Sequence, residues 1–428
     1  MRHQTTSSAV RFFFALSVAG AWLFPAFAHG QGSLTPPGAP APTQKSLQEI
    51  WDRLVALEAQ NASLAAQATS LQTEVATLKT SAAQEQFFLN RIFQDKLPWR
   101  LMTVDSAGTT GQVTSLAFGP DGQPAISYYD VTNGDLRFAR FNGTTWIAVT
   151  VDASGNTGAH TSLKFGPDGQ PAIAYRDATN ERLRFARLSN GTWSSVTADA
   201  GLLGASVGNL CSLAFGPDGQ PAIAHYDATN RDLRFSRFNG STWSTVTVES
   251  AGDMGKYASL AFGADGQPAI SHYDSTNFDL RFARFNGTSW NAVIIDSTQN
   301  TGVFTSLAFG PDGNPAISYQ DVTNGDLRFA RFNGAAWSFI TVDAPGNTGA
   351  FTSLAFGPDG QPAISYLDND MGTLRFARFD GSGWISVTVD GAGFFASLAF
   401  GPDGQPAIAY YDQWNDDAKF ARRYVPTP

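Results

Sequence analysis

Short apolar runs alternate with turn residues along most of this chain. Between residues 115 and 151, four runs rich in Ile, Val, Phe, Tyr and Trp occupy 115–118, 125–129, 136–141 and 146–151. Gly-Pro-Asp-Gly and Asn-Gly separate them and supply the backbone conformations that tight hairpins require. The runs are too short for helices and lack helical periodicity. The stretch therefore predicts four short antiparallel strands.

The same unit recurs seven times. Its copies begin at Ser115, Ser162, Ser212, Ser259, Ser306, Ser353 and Ser397, at spacings of 47, 50, 47, 47, 47 and 44 residues. A four-stranded unit with this period is typical of a β-propeller blade. The last copy lacks its Trp-led fourth strand, and a matching orphan begins at Trp99. We therefore predict an all-β, seven-bladed propeller of four-stranded blades over 98–428, closed by its N-terminal strand.

The first 45 residues have a different character. Arg2 and Arg11, the apolar run 12–24 and Ala26-Phe27-Ala28 predict a signal peptide over 1–28. The apolar run is too short to span a bilayer, so no membrane span is expected. Residues 29–45 form a Pro/Gly/Ala linker. The protein is predicted to be exported, and to be secreted, periplasmic or at the cell surface.

Heptads follow over 46–97. One seam position holds Leu47, Leu54, Asn61, Ala68 and Val75, and the other holds Ile50, Leu57, Leu64, Leu71 and Leu78. Such a seam predicts a coiled-coil stalk, and Asn61 favours a parallel homo-dimer or homo-trimer through residues 46–85. A capping box of Ser46 and Glu49 begins the helix. The alternative is a single amphipathic helix packed on the propeller.

Composition narrows the possible partners. The chain carries 28 basic and 37 acidic residues, a net charge of −9, which argues against nucleic acid and anionic membranes. Its one cysteine, Cys211, excludes an intrachain disulfide and is expected to be a buried small residue. No cofactor is expected, and Ca²⁺ bound by the Asp-x-Thr-Asn-x-Asp loops is the weaker alternative. The Asp-x-Thr-Asn-x-Asp loops lack the ligand spacing of a calcium loop, and Asp and Asn capping their own turns explains them.

Strand alternation divides the loops between two faces. One face carries near-identical turns, and the other carries loops that vary between copies and are the expected recognition surface. At the channel mouth on that face we expect Val113, His160, Leu210, Tyr257, Phe304, Phe351 and Phe395. Nearby lie Lys256 and the second-strand residues Tyr129, Arg176, Tyr226, Tyr273, Gln320, Leu367 and Tyr411. These side chains predict a site for sugar rings or apolar ligands, with packing between blades as the alternative. Arg137, Arg140 and their copies are expected to pair structurally with the loop Asp residues.

The repeat Ser-Leu-Ala-Phe-Gly-Pro-Asp-Gly-Gln-Pro-Ala-Ile-Ser-Tyr-Tyr-Asp resembles repeats of bacterial exported seven-bladed propeller proteins, grouped with sialidase-like and lectin-like propellers. The resemblance implies the fold and a glycan or extracellular protein as partner. Two departures separate the chain from sialidases: the propeller has only Glu181 and Glu249 as glutamates, and no Asp-box is present. No catalytic residue is assigned.

The leading hypothesis for the function is a carbohydrate-binding, lectin-like head. The alternatives are a sialidase-like glycan hydrolase and a structural or protein-interaction propeller of the envelope.

Overall fold

The computed structural model describes residues 46–94, 98–202, 204–344 and 346–424. The predicted signal peptide and linker lie outside the described residues. Helix α1 spans Leu47–Gln94, and the predicted capping box is confirmed: Ser46 N–H donates to Glu49 Oε2 at 2.9 Å, and Glu49 N–H donates to Ser46 Oγ at 3.2 Å. Among the described helices, none has the length and hydropathy needed to cross a membrane.

The apolar seam of α1 is open to solvent in the single chain. Its side chains are between 47% and 86% exposed, and they are Leu47, Ile50, Leu54, Leu57, Leu64, Leu71, Val75 and Leu78. A long helix gains most of its stability from burying such a face, so the single chain leaves this face unpartnered.

Seven four-stranded antiparallel sheets form a propeller, which confirms the predicted fold. Blade 1 holds β2 (Thr110–Phe118), β3 (Pro124–Asp130), β4 (Asp135–Phe141) and β5 (Trp146–Asp152). Blade 2 holds β6 (Thr157–Phe165), β7 (Pro171–Asp177), β8 (Arg182–Ser189) and β9 (Thr192–Asp199). Blade 3 holds β10 (Asn209–Phe215), β11 (Pro221–Asp227), β12 (Asp232–Phe238) and β13 (Trp243–Glu249). Blade 4 holds β14 (Met254–Phe262), β15 (Pro268–Asp274), β16 (Asp279–Phe285) and β17 (Trp290–Asp296).

The remaining blades complete the ring. Blade 5 holds β18 (Thr301–Phe309), β19 (Pro315–Asp321), β20 (Asp326–Phe332) and β21 (Trp337–Asp343). Blade 6 holds β22 (Thr348–Phe356), β23 (Pro362–Asp368), β24 (Thr373–Phe379) and β25 (Trp384–Asp390). Blade 7 holds β26 (Phe394–Phe400), β27 (Pro406–Asp412), β28 (Asp417–Arg423) and β1 (Trp99–Asp105), so the N-terminal strand closes the ring as predicted.

Both ends of the propeller meet at one point. Trp99 is paired with Arg423, and Tyr424 N–H donates to the Pro98 carbonyl at 3.3 Å. This point lies on the face that carries the Gly-Pro-Asp-Gly turns, called the turn face below. The opposite face, where the second strands end, is called the loop face.

A hydrogen bond between inner strands crosses every seam of the ring. The Leu N–H of one blade donates to the Ser Oγ of the preceding blade, from Leu163 and Ser115 around to Leu116 and Ser397, at 2.9 to 3.0 Å. The Trp at or next to the start of each outer strand packs against a Phe of the preceding blade, with ring centroids 5.1 to 5.5 Å apart and ring planes at 59° to 68°. The repeated Ser, Leu, Phe and Trp are therefore seam residues.

The arginines of the third strand form ion pairs that repeat around the ring. Only some of their partners are the predicted loop Asp residues. Arg137 pairs with Asp105 at 3.1 Å, and Asp105 also accepts the hydroxyl of buried Tyr128 at 2.6 Å. Copies of Arg137 also lie 3.4 to 4.0 Å from the first loop Asp, as predicted. Arg140 and its copies instead pair with the turn Asp at 2.5 to 2.9 Å, because they stand at the turn end of the strand. Each also lies over a Phe ring of the next blade, 4.9 to 5.3 Å from its centroid.

We predict that Tyr128→Phe lowers the free energy of unfolding by about 1–2 kcal/mol, because it removes the hydrogen bond from the hydroxyl of a buried tyrosine to the Asp105 carboxylate. Tyr129→Phe is the matched control: its hydroxyl donates to Asn156 in an exposed position at 2.7 Å, and we expect a loss below about 0.5 kcal/mol. Urea unfolding followed by tryptophan fluorescence measures both. Equal losses in the two variants would contradict the structural role of the Tyr128–Asp105 bond.

Candidate functional site

Every inner strand contains a bulge near the loop face. In blade 1, Gln112 faces Tyr129 while Ser115 faces Ser127, so one extra residue lies between the two pairs. The bulged residue has a φ of 51° to 56° in all seven blades: Val113, His160, Leu210, Tyr257, Phe304, Phe351 and Phe395. This left-handed conformation costs a residue other than glycine about 1–2 kcal/mol. The bulge changes the direction of the strand and of the side chain that it carries.

The seven bulged residues line one cavity of about 210 Å³ and form what we call the collar. The residue after each completes its wall: Thr114, Thr161, Cys211, Ala258, Thr305, Thr352 and Ala396. All seven collar side chains are partly exposed. The structure therefore brings together the first set of predicted site residues at the mouth of the channel on the loop face.

The collar has an aromatic half of Tyr and Phe residues and a second half of Val, His and Leu. The ring centroids of Tyr257 and Phe304 lie 4.6 Å apart, those of Phe304 and Phe351 4.3 Å, and those of Phe351 and Phe395 4.5 Å. Four rings in successive blades thus form a continuous arc. Val113, His160 and Leu210 complete the circle. The site is asymmetric although the scaffold is not.

Hydrogen bonds between blades fix the collar backbone. Thr114 Oγ1 donates to the Phe395 carbonyl at 2.6 Å, and Thr352 Oγ1 donates to the Phe304 carbonyl at 2.9 Å. Cys211 Sγ does the same to the His160 carbonyl at 2.7 Å. Burial raises the pKa of this thiol to about 12, so Cys211 is a neutral donor in place of threonine. The predicted burial of Cys211 is confirmed.

Glycine precedes the collar residue by two positions in all seven blades because the neighbouring blade approaches closely there. Gly158 has a φ of 98°, and a Cβ built on it would lie 2.7 Å from the Leu136 Cα of blade 1. No larger residue fits without moving the blade. The glycine therefore sets how closely successive blades approach beside the collar.

The second set of predicted residues lies just outside the collar and is largely engaged in contacts with the next blade. Tyr129 donates to Asn156, Tyr226 to Asp253 and Tyr273 to Asn300, at 2.7 to 2.8 Å. Tyr226, Tyr273 and Tyr411 are each only 7% exposed, and the Tyr411 hydroxyl donates to Asp416 of its own blade. In this arrangement they brace the variable loops.

The cations predicted near the site are neutralised by acidic neighbours. Arg176 lies 3.5 Å from Glu181 and donates to Ser206 Oγ at 3.1 Å. Lys256 Nζ lies 2.8 Å from Asp253 Oδ2. Burial, with a smaller contribution from Arg176, lowers the pKa of His160 to about 4, so its imidazole is neutral at physiological pH. The collar is therefore an uncharged surface.

Lys164 was missed by the sequence analysis. It stands on inner strand β6, where the other six blades have Ala117, Ala214, Ala261, Ala308, Ala355 and Ala399. Its side chain is exposed to water, yet burial within the protein lowers its pKa. At about 3.3 Å per residue Lys164 lies some way below the collar, and its departure from the repeat was the available signal.

Clefts between blades were also missed. One, of about 440 Å³ between blades 2 and 3, is lined by Arg187, Ser194, Gln220 and Trp243 among others. The equivalent cleft between blades 3 and 4, of about 350 Å³, includes Arg237, Ser244, Gln267 and Trp290. The two clefts are lined by equivalent residues of the repeat, so they result from the way in which neighbouring blades pack.

The first Asp of each Asp-rich loop accepts hydrogen bonds from residues of the same loop. Asp130 accepts the Asn133 backbone N–H at 3.1 Å and its side-chain amide at 2.9 Å, and the equivalent pairs recur in blades 2 to 5 and 7. This confirms the predicted capping of the turns. Within the residues that the structure describes, no three His, Cys, Asp or Glu side chains cluster as a metal site would require.

No family model and no curated protein matches this chain. Among solved structures, an ulvan lyase of polysaccharide lyase family PL25 is 14% identical with a TM-score of 0.51, covering 75% of this chain and 95% of its own. YCF48 from Cyanidioschyzon merolae is 13% identical with a TM-score of 0.51, covering 76% and 98%. The lectin AAL of Aleuria aurantia is 15% identical with a TM-score of 0.46, covering 66% and 96%. At these identities the likeness shows the propeller fold alone.

We predict that His160→Leu, which installs the residue of blade 3, makes stability less sensitive to acid. In the wild type the folded pKa is about 4 and lies below the unfolded value of about 6.5. Above pH 6.5 neither state is protonated, so His160 contributes no pH dependence. Between pH 6.5 and 4 the unfolded state takes up the proton first, so the wild type loses about 3 kcal/mol that the variant retains. Urea unfolding at pH 7.5 and pH 4 measures the difference. Equal losses in both proteins would contradict the lowered pKa of the His160 imidazole.

Proposed function

We propose that this protein is an exported, lectin-like binding protein whose collar takes a neutral saccharide. The observation that carries the proposal is the arc of Tyr257, Phe304, Phe351 and Phe395, four partly exposed rings arranged around an open cavity. Aromatic rings present an apolar face with few rotatable bonds, which suits stacking against the C–H face of a pyranose.

The charge distribution favours a neutral sugar. Arg176 and Lys256 are paired with Glu181 and Asp253, and His160 is neutral at physiological pH. A sialic or uronic acid would therefore find no uncompensated cation among the collar residues, all of which the structure describes. Binding would have to break an existing ion pair to engage its carboxylate.

Two alternatives remain open: a glycan hydrolase and a protein-binding propeller. No Asp or Glu lines the collar, whereas most glycoside hydrolases act through two carboxylates. Solved structures of similar fold include both a polysaccharide lyase and YCF48 in complex with D1 peptide, so the fold alone favours neither sugar nor protein. The proposal therefore depends on the collar chemistry.

We further propose that α1 joins two or three copies in a parallel coiled coil. Its apolar seam is exposed in the single chain, and a second copy offers the same seam, with Asn61 placed to pair with its counterpart. Joining several heads would raise avidity by about 10²–10⁴ without new contacts. Export itself is proposed from residues 1–28, and the N-terminal sequence of the exported chain, expected to begin after Ala28, tests it.

We predict that the mature chain, residues 29–428, binds neutral glycans on a glycan and polysaccharide array. A Tyr257→Leu, Phe304→Leu, Phe351→Leu variant places at three collar positions the residue that blade 3 has there. It removes the stacking faces while keeping a side chain that the bulge accepts, so we expect at least about a tenfold loss of affinity. Surface plasmon resonance on the array hits measures it.

The matched control for this experiment is Ser194→Ile with Ser244→Ile. Ile147 occupies the equivalent position in blade 1, so the substitution fills the clefts between blades without a residue foreign to the repeat. We expect glycan binding to persist in this control. Binding that survives the collar variant and is lost in the cleft variant would contradict the collar as the site.

We predict that light scattering gives a dimeric or trimeric mass for the mature chain. Leu57→Glu with Leu64→Glu places charges in the seam and is expected to yield a monomer. Ala59→Glu with Ala66→Glu makes the same change on the outer side of the helix and leaves the mass unchanged. A monomeric wild type would contradict the stalk.

A further inference from the structure

The loop between the second and third strands of blade 7 departs from the repeat. In blades 1 to 5 its second residue is a threonine whose Oγ1 accepts a backbone N–H of the incoming loop at 2.7 to 3.1 Å. In blade 6 Asp370 accepts the equivalent N–H, from Asn347, at 2.9 Å. Blade 7 has Trp414 there, and the bond is reversed: Trp414 Nε1–H donates to the Gly391 carbonyl at 3.1 Å. The loop is therefore held, but by a residue that no other blade uses.

Trp414 is fixed in place and open to solvent. It is 71% exposed. Gln413 beside it accepts the Gly393 N–H at 3.2 Å and donates to the Gly372 carbonyl of blade 6 at 3.1 Å. A Cβ on Gly372 would lie 3.6 Å from the Trp414 ring, so the indole lies at the seam between blades 6 and 7. Met371, the residue before Gly372, is 73% exposed.

Aromatic side chains connect this position with the collar. Gly393, bound by Gln413, leads directly into Phe394 and Phe395. The Phe394 ring lies 5.9 Å from that of Phe351, and the Phe395 ring lies 6.5 Å from that of Tyr411, three residues before Trp414. The aromatic half of the collar thus continues towards the rim at the same seam where Trp414 stands.

We propose that Trp414, flanked by Met371, is an outer stacking subsite, and that the ligand is a neutral oligosaccharide running from the collar across the seam between blades 6 and 7. The inference rests on the proposed function and deepens it. A tryptophan held by its own N–H with most of its ring exposed is pre-organised for stacking, because little freedom is lost on binding. Neutral sugars suit the neutral collar at the other end of this path.

The test uses the mature chain, residues 29–428, with xylo-, manno- and cello-oligosaccharides of one to six units in calorimetric titrations. Trp414→Thr restores the residue of blades 1 to 5, and Phe351→Leu removes a collar ring. The matched control is Phe278→Gly, which removes a half-exposed aromatic from the loop face of blade 4 and installs the residue of Gly134 and Gly325. Thermal unfolding confirms that each variant folds.

We expect Trp414→Thr to weaken hexasaccharide binding about tenfold and to leave mono- and disaccharide binding unchanged. Phe351→Leu weakens every length, and Phe278→Gly changes none. Wild-type hexasaccharide affinity retained in Trp414→Thr, with loss in Phe351→Leu, overturns the outer subsite and leaves the proposed function standing. Loss in Trp414→Thr without loss in Phe351→Leu overturns the shared site. A wild type that binds none of the three series overturns the neutral-saccharide function, and the inference with it.

Discussion

The hydrogen bond from a Leu N–H to the Ser Oγ of the preceding blade is the contact on which the ring depends. It joins neighbouring inner strands at all seven seams, including the closing seam between Leu116 and Ser397. A ring closes only if the rotations at its seven seams add up to a full turn, and using the same groups at every seam gives each seam an equal share of that turn. This constraint explains why the Ser-Leu pair is present in all seven copies while other positions vary.

Symmetry therefore separates scaffold from function in this protein. The Trp–Phe contacts and the Arg side chains over Phe rings repeat around the ring because they hold neighbouring blades together. The collar side chains, Lys164 and Trp414 are among the residues that differ between copies. A site for one ligand on the channel axis needs such differences, since seven identical side chains would present the same chemistry in every direction.

The sequence was sufficient for the strands, the closure by Trp99 and the positions that form the collar, because turn residues and a period of about 47 residues determine them together. It could not show how the collar side chains point. Alternation with a period of two places residues on faces of a regular strand, and the bulge at Val113 breaks that alternation. Nor could it show that Glu181 and Asp253 neutralise Arg176 and Lys256, since those pairings depend on loop conformation. Trp414 lies where the repeat is least regular, so comparison with the other copies was the only signal for it.

The left-handed backbone at the collar is not by itself a sign of function. It occurs in all seven blades, including Val113 and Leu210, so it belongs to the way an inner strand turns towards the channel. In the aromatic half, contacts of about 0.5–1.5 kcal/mol between successive rings offset part of its cost even without a ligand. If these rings served only to offset the backbone strain, we would expect them to bury their faces against each other. The four collar rings contact one another in sequence and yet stay partly exposed at the channel mouth; they are Tyr257, Phe304, Phe351 and Phe395. That remaining exposure, rather than the strain, is the observation that supports the proposed binding surface.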